Sequence, residues 1–95
     1  MPEQLNTRVE DCFQLAESFF KRPFKRPVVS LKLRGQKAGV AHLHENLLRF
    51  NPQLYRENTE DFLKQTVAHE VAHLIAHQLS VSYTHLRAHE TKANL

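Results

Sequence analysis

The sequence has little of several features, and each shortage excludes a class of protein. A single cysteine, Cys12, excludes an internal disulfide and a cysteine-rich zinc ribbon within the 95 residues, and it fits a reducing compartment. No apolar run approaches the roughly 18 residues needed to cross a bilayer, so no membrane interaction is expected. The N-terminus, MPEQLNTRVEDC, lacks the basic start and apolar stretch of a signal peptide. Cytoplasmic residence is therefore expected.

Histidine, by contrast, is abundant. The chain has seven histidines against two glycines, and five of them fall within residues 42–44 and 69–77. A hydrophobic content of 41% and a charged content of 24% indicate a globular domain. A chain of this length buries only about two-thirds of its unfolded surface, so a bound metal would add usefully to its stability. The clustering of histidines favours a metal site.

Residues 4–20 have the apolar spacing of an amphipathic helix. Their apolar side chains recur every three or four residues on one stripe: Leu5, Val9, Cys12, Phe13, Ala16, Phe19 and Phe20. The opposite face carries the charged residues Arg8, Glu10 and Glu17. Pro23 and Pro27 end the helix.

Three short strands are predicted next. Residues 29–33 alternate between apolar and polar side chains, as in a strand with one buried face. Residues 40–44 and 47–50 predict two further strands joined at Glu45-Asn46, and Asn51-Pro52 ends the last one. This order predicts a small antiparallel meander.

A long helix is predicted to begin near Thr59. Asn58 suits the N-cap, and Asp61 lies three residues later, where a carboxylate can reach back to the cap. Residues 62–79 are apolar nearly all round, which predicts a helix packed on several sides. The predicted fold class is α+β, with an N-terminal helix, a three-stranded antiparallel sheet and a long helix that carries the active site.

The motif that carries chemistry is His69-Glu70-Val71-Ala72-His73. Four residues apart on a helix, the two imidazoles project from one face and can reach a single tetrahedral Zn²⁺ at about 2.0 Å. Glu70 lies beside them, where it can take a proton from zinc-bound water and pass it to a leaving amine. A chance match is expected only about 0.04 times in a chain of this composition. The alternative is a histidine-rich helix whose imidazoles form hydrogen bonds in the core or face solvent.

Three other histidines are weaker candidates. Ligands at three successive turns of one straight helix rarely converge on one ion, so His77 is expected outside the ligand set. His42 and His44 share one face of their predicted strand. They are expected to be exposed, with substrate contact at the edge of a cleft as the alternative.

Residues 18–44 contain seven basic residues and no acid: Lys21, Arg22, Lys25, Arg26, Lys32, Arg34 and Lys37. Two interpretations stay open. The cluster is either a solvated face that keeps a small protein soluble, or a weak, nonspecific contact with DNA through Lys21, Arg22, Lys25 and Arg26.

Three segments together resemble the bacterial SprT family, SprT-like metallopeptidases that include a DNA–protein crosslink protease. They are Ala38-Gly39-Val40-Ala41, the Arg-x-Asn-Pro-x-Leu pattern of residues 49–54, and residues 67–74 around the histidine motif. The resemblance spans roughly residues 5–79. It implies a minimal zincin with one zinc ion, His69 and His73 as the first two zinc ligands, and Glu70 as the catalytic residue. The implied substrate is protein or peptide, including proteins associated with DNA.

The chain departs from the family pattern after residue 79. The resemblance implies a third histidine about 13 residues after His73, in a Pro-His-Gly setting with tryptophan nearby. No such setting occurs, the chain has no tryptophan, and His85 lies near that distance without those neighbours. Residues 81–91 resemble a translated sequencing-adapter string. We therefore predict a C-terminally truncated SprT-like domain at 1–79 and a non-native tail at 80–95, with weak zinc binding and little activity in this chain.

A different class of function remains as the alternative. In it the chain is a non-catalytic module, either a metal-binding relic or a basic domain that associates with nucleic acid. Salt-dependent DNA binding through residues 21–37 would distinguish the basic module from the enzyme.

Overall fold

The chain combines helices with a small sheet in the computed structural model, which describes the backbone of residues 3–94 and the side chains of residues 3–81. The predicted α+β class is confirmed. In chain order the elements are α1 (Glu3–Phe20), β1 (Val28–Ser30), β2 (Gly39–His42), β3 (Leu47–Phe50), α2 (Pro52–Glu57), α3 (Thr59–Asp61), a π-helical segment (Phe62–Thr66) and α4 (Val67–Asn94). No described helix combines the length and apolar character needed to cross a membrane.

The sheet is mixed, so the predicted antiparallel meander is wrong in this respect. Its strand order is β1-β3-β2, with β3 antiparallel to β2 and parallel to β1. Leu48 and Phe50 on β3 are both fully buried, whereas Val28 on β1 is 67% exposed. The strand with the most apolar surface to bury therefore takes the centre, and β1 and β2 lie at the edges.

Asn51 connects three parts of the fold. Its side chain is 3% exposed, and its amide nitrogen donates hydrogen bonds to the carbonyl oxygens of Gly35 at 2.9 Å and Lys37 at 3.2 Å. Its Oδ1 accepts from the backbone N–H groups of Gln53 at 3.0 Å and Leu54 at 3.3 Å. One buried amide thus fixes the loop before β2 and caps the helix after β3.

Helix α2 is absent from the sequence prediction, which treats Asn51-Pro52 only as the end of a strand. In the structure Asn51 is the N-cap and Pro52 begins the helix, where its missing N–H costs nothing. The short helix ends at Glu57, and Asn58 follows with its backbone N–H bonded to the carbonyl of Leu54.

The long helix begins at Thr59 as predicted, but its start differs from the expected cap. The Asn58 side chain makes no capping hydrogen bond. A π-helical segment follows, in which the Val67 N–H bonds to the carbonyl of Phe62 five residues earlier. This wider turn brings Phe62 and Val67, which are both buried, to the same side of the helix.

The core lies where α1 and α4 pack on each other and on the sheet. It contains Leu5, Val9 and Phe13 from α1, Leu48 and Phe50 from β3, and Val67, Val71, Leu74 and Ile75 from α4. The predicted apolar stripe of α1 extends too far, since Phe19 is 78% exposed. Helix α4 packs on both α1 and β2, but the face that carries Ala72 and Ala76 is exposed.

The acidic residues of α1 bind the loop that follows the helix rather than facing solvent alone. Arg26 forms two-pronged pairs, with Nε and Nη2 bound to Glu10 at 2.9 and 3.0 Å and Nη1 and Nη2 bound to Glu17 at 2.8 and 3.0 Å. Glu17 also accepts the backbone N–H of Phe24 at 2.9 Å. Hydrogen bonds from Arg26 lower the pKa of Glu10, and they lower that of Glu17 to about 2.

Replacing Asn51 by alanine is expected to destabilise the fold. The change removes the cap of α2 and leaves the Gly35 and Lys37 carbonyls without their donor, so the free energy of unfolding should fall by about 3 kcal/mol. Urea denaturation measures this value. Asn6→Ala, at an exposed position on α1, is the matched control. A loss no larger at Asn51 than at Asn6 would contradict the role assigned to the buried amide.

The Arg26 pairs predict a loss of stability in acid. The pKa of Glu17 is lower in the folded chain, about 2 against 4.5, so its contribution is complete above pH 4.5 and disappears as the pH falls toward 2. Melting temperatures measured across that interval should decline, and Glu17→Gln should flatten the decline. Glu60→Gln, at an exposed site, is the control. Equal pH profiles for the two variants would contradict the prediction.

Candidate metal centre

The first turns of α4 present His69, Glu70 and His73 at one border of the core. Val67 and Val71 are buried on the face of α4 that packs on the core, and their burial fixes the rotation of α4 about its own axis. Both histidines are consequently exposed, whereas Glu70 lies at the boundary and is 8% exposed. Of the alternative interpretation, hydrogen bonds within the core are therefore wrong, whereas imidazoles that face solvent agree with this exposure.

The structure brings the two imidazoles together as their spacing predicts. The His69 and His73 ring centroids are 4.5 Å apart with the ring planes at 90°, and the two Nε2 atoms are 3.0 Å apart. Two nitrogens that share a tetrahedral Zn²⁺ are separated by about 3.3 Å, given Zn–N bonds of 2.0–2.1 Å. The observed 3.0 Å is also the length of a hydrogen bond between the two rings, and a small rotation of either ring would give the separation that zinc requires.

Glu70 is held in place by the sheet. A Cβ atom at Gly39 would lie 3.0 Å from Glu70 Cγ and 3.0 Å from the ring of Phe50. The glycine therefore lets the glutamate side chain pass close to β2. Glu70 lines two adjoining clefts of about 370 and 310 Å³, the first shared with His69 and the second with His73. The carboxylate and both imidazoles thus border one groove between β2 and α4.

Strand β2 forms the other wall of this groove. Among the described residues it pairs only with β3, which leaves its outer edge free. Gly39, Val40 and Ala41 line the cleft that also contains Glu70 and His73. An extended chain could pair with this edge beside the carboxylate, because an edge strand presents unpaired backbone groups.

The other candidate histidines lie away from this pair. Strand β2 ends at His42, so His44 lies in the following turn and not on the same strand face. His42 is half-buried, and its Nε2 has no hydrogen-bond partner among the described residues. The prediction of two exposed strand histidines is therefore wrong for His42. His77 contacts His44 edge to face, with ring centroids 5.4 Å apart.

Two imidazoles are the ligand set that the described side chains supply. No group of three or more histidine, cysteine, aspartate or glutamate residues suited to a metal occurs among them. His85, which lies near the spacing implied for a third ligand, is outside the described side chains.

The four cations predicted for DNA contact do not form a uniform patch. Arg26 is bound by Glu10 and Glu17, and the Arg22 guanidinium carbon lies 5.2 Å from the centroid of the Phe24 ring. Lys21 and Lys25 are exposed. The sequence count of acids between residues 18 and 44 missed this pairing because the carboxylates come from α1. Contact with DNA stays a prediction.

Comparison with known proteins identifies related sequences. A family model described as SprT-like family matches residues 9–93. Over 79 residues, 83% of this chain, the sequence is 99% identical to Protein SprT of Pseudomonas fluorescens (strain Pf0-1) and 91% identical to that of strain SBW25. It is 84% identical to Protein SprT of Pseudomonas syringae pv. syringae (strain B728a) over the same length. No solved structure matches the chain.

These matches cover part of the relatives. The chain spans 48% of the length of each of these three proteins. The alignment with each relative is 79 residues long, whereas the match to the family model extends to residue 93. The division into a domain at 1–79 and a non-native tail at 80–95 stays a prediction.

Gly39→Ala tests the close packing of Glu70 on β2. Because Phe50 is fully buried and cannot move away, the added methyl group should lower the free energy of unfolding by about 1–3 kcal/mol. Urea denaturation measures the change. In the Glu70→Ala background part of this cost should disappear, since one of the two crowded neighbours is gone. An identical cost in both backgrounds would show that Glu70 does not pack there.

Proposed function

The chain belongs to the SprT-like family, and we propose that it forms the metal-binding core of a zinc-dependent peptidase. The observation that carries the proposal is the pair of Nε2 atoms, 3.0 Å apart, beside a carboxylate that borders the same groove. Two histidines and an adjacent glutamate on one helix are the arrangement used for metal-assisted hydrolysis of a peptide bond.

His69 and His73 are the residues that would hold the ion. Imidazole nitrogen is a preferred zinc ligand, and a catalytic zinc ion takes three protein ligands and keeps one position open. The third ligand in this proposal lies outside the described side chains. When bound, the ion would supply Lewis acidity toward the substrate carbonyl and acidify a coordinated water.

Glu70 would act as the general base and then as the general acid. A carboxylate oxygen would accept one proton from the attacking water and deliver it to the nitrogen of the departing amine. Its Cγ packs closely on Gly39, and this contact restricts the side chain beside β2. The proposed contribution of the sheet is this positioning.

The substrate would be a protein or peptide in an extended conformation. It would add to the free edge of β2 through backbone hydrogen bonds and so lie along the groove past Glu70. Proteins associated with DNA are the finer substrate class that we propose from the family resemblance. Cytoplasmic residence is part of the same proposal.

Zinc binding can be measured on this chain by native mass spectrometry. We expect one zinc ion per chain and at least a tenfold loss of affinity, on the order of 1.4 kcal/mol, in His69→Ala and in His73→Ala. Glu70→Gln should keep the ion. His42→Ala removes an imidazole outside the pair and serves as the control. Absence of zinc from residues 1–79 joined to the remaining part of Protein SprT of Pseudomonas fluorescens (strain Pf0-1), or equal losses in all three histidine variants, would contradict the assignment.

The test of catalysis uses a longer protein, because this chain spans 48% of the length of the relatives it matches. Residues 1–79 can be joined to the remaining part of Protein SprT from Pseudomonas fluorescens (strain Pf0-1), which is 99% identical to this chain over 79 residues. In that fusion Glu70→Gln should lower kcat on an unfolded protein substrate by about 10²-fold or more, with zinc retained. Undiminished proteolysis would eliminate Glu70 as the base. No proteolysis in the unmodified fusion would favour the non-catalytic module.

A further inference from the structure

A larger cleft lies next to the groove beside His73. This cleft has a volume of about 620 Å³ and lies between residues 22–25, the turn at residues 43–46 and α4. Leu43 lines both the larger cleft and the smaller one that contains Glu70 and His73. The two spaces are therefore neighbours along one face of the molecule.

The lining of the cleft is basic. Arg22 and Lys25 contribute two cations, and His44 and His77 contribute two imidazoles that can donate hydrogen bonds. No aspartate or glutamate lines it among the described residues. The nearby Glu45 is directed elsewhere, since its Oε1 lies 3.7 Å from His42 Nδ1.

Part of the lining is apolar. Leu43 and Leu74 lie beside the cations and imidazoles. Leu74 belongs to the buried core, so this side of the cleft is firmly placed. Cations beside aliphatic surface suit a ligand that has a negative group on a short hydrocarbon stem.

The basic wall is held in a fixed position. Gln78 on α4 exchanges two hydrogen bonds with the backbone of Lys25, accepting from its N–H and donating to its carbonyl, both at 3.0 Å. Phe24 is 6% exposed, and its ring packs 6.5 Å from that of Phe13. The loop that carries both cations is therefore ordered before any ligand arrives, which lowers the entropic cost of binding.

We propose that this cleft binds an acidic side chain of the peptide substrate. The inference rests on the proposed peptidase function, which places the peptide along β2. His77 lies one helical turn beyond His73, about 6 Å along the axis, and an extended peptide covers that distance in about two residues. The preferred substrate then carries glutamate or aspartate two or three residues from the scissile bond.

A peptide fits the cleft better than a nucleic acid does. Binding of single-stranded nucleic acid relies on exposed aromatic faces for base stacking. Apart from the imidazoles, the described lining of the cleft contains one aromatic ring, that of Phe24. This ring is buried, and the Arg22 guanidinium carbon lies 5.2 Å from its centroid. The aliphatic part of the lining instead matches the methylene groups of a glutamate.

The test measures fluorescence anisotropy of two labelled octapeptides that differ only in having three glutamates or three glutamines. At low salt the chain should bind the glutamate peptide about tenfold more tightly. Lys25→Glu should abolish this preference. Lys32→Glu makes the same charge change at an exposed site outside the cleft and should retain it. Thermal unfolding of each variant confirms that it is folded.

Three results would overturn the inference. The first is equal affinity for the two peptides, and the second is an equal loss of the glutamate preference in the Lys25 and Lys32 variants. The third is a chain that binds a thymidine oligonucleotide in a Lys25-dependent way but does not bind the glutamate peptide. The assay requires neither zinc nor catalysis, so the two proposals fail separately. Zinc held by His69 and His73 without a glutamate preference would overturn only this inference. A glutamate preference, together with no zinc bound by the fusion to the remaining part of Protein SprT, would support the cleft and overturn the peptidase.

Discussion

The rotation of α4 about its own axis is the constraint on which the candidate metal centre depends. Burial of Val67, Val71 and Leu74 sets that rotation. Successive helical residues are about 100° apart, so a one-residue shift that placed His69 and His73 at the positions of Glu70 and Leu74 would turn their imidazoles toward the core. The π-helical segment before α4 contributes, because its wider turn allows Phe62 and Val67 to be buried together. Core packing therefore decides which side chains face the groove.

The opposite wall of the groove depends on contacts between distant parts of the chain. Asn51 fixes the loop before β2 through the Gly35 and Lys37 carbonyls, and its backbone N–H bonds to the carbonyl of Ala38 at 2.8 Å. These bonds place Gly39 next to Glu70. Because glycine has no side chain, it does not obstruct the glutamate. The Arg-x-Asn-Pro-x-Leu segment contributes no side chain to the candidate metal centre. It nevertheless positions strand β2 beside the proposed general base.

The run of basic residues in the sequence does not form a run of free cations in the folded chain. The acids of α1 bind Arg26, and this removes one cation from the run at residues 21–26 while it anchors the loop. Arg22 and Lys25 remain on that loop and line the cleft beside His77. The basic cleft therefore lies next to the groove of the proposed hydrolytic centre, with Leu43 lining both. Pairing of charges in space, not their number in the sequence, determines which cations are available to a partner.

Local patterns were sufficient for the α+β class, for the extents of α1 and β3, and for the approach of His69 to His73, because helical and strand periodicity act between residues close in the chain. The tertiary structure alone decided the mixed sheet, the helix that starts at Pro52, the exposure of Ala72 and Ala76, and the contact of His44 with His77. Each of these depends on which apolar surfaces are buried against each other across long sequence separations. Periodicity indicates that a face is apolar, but only the packed core selects the partner that covers it.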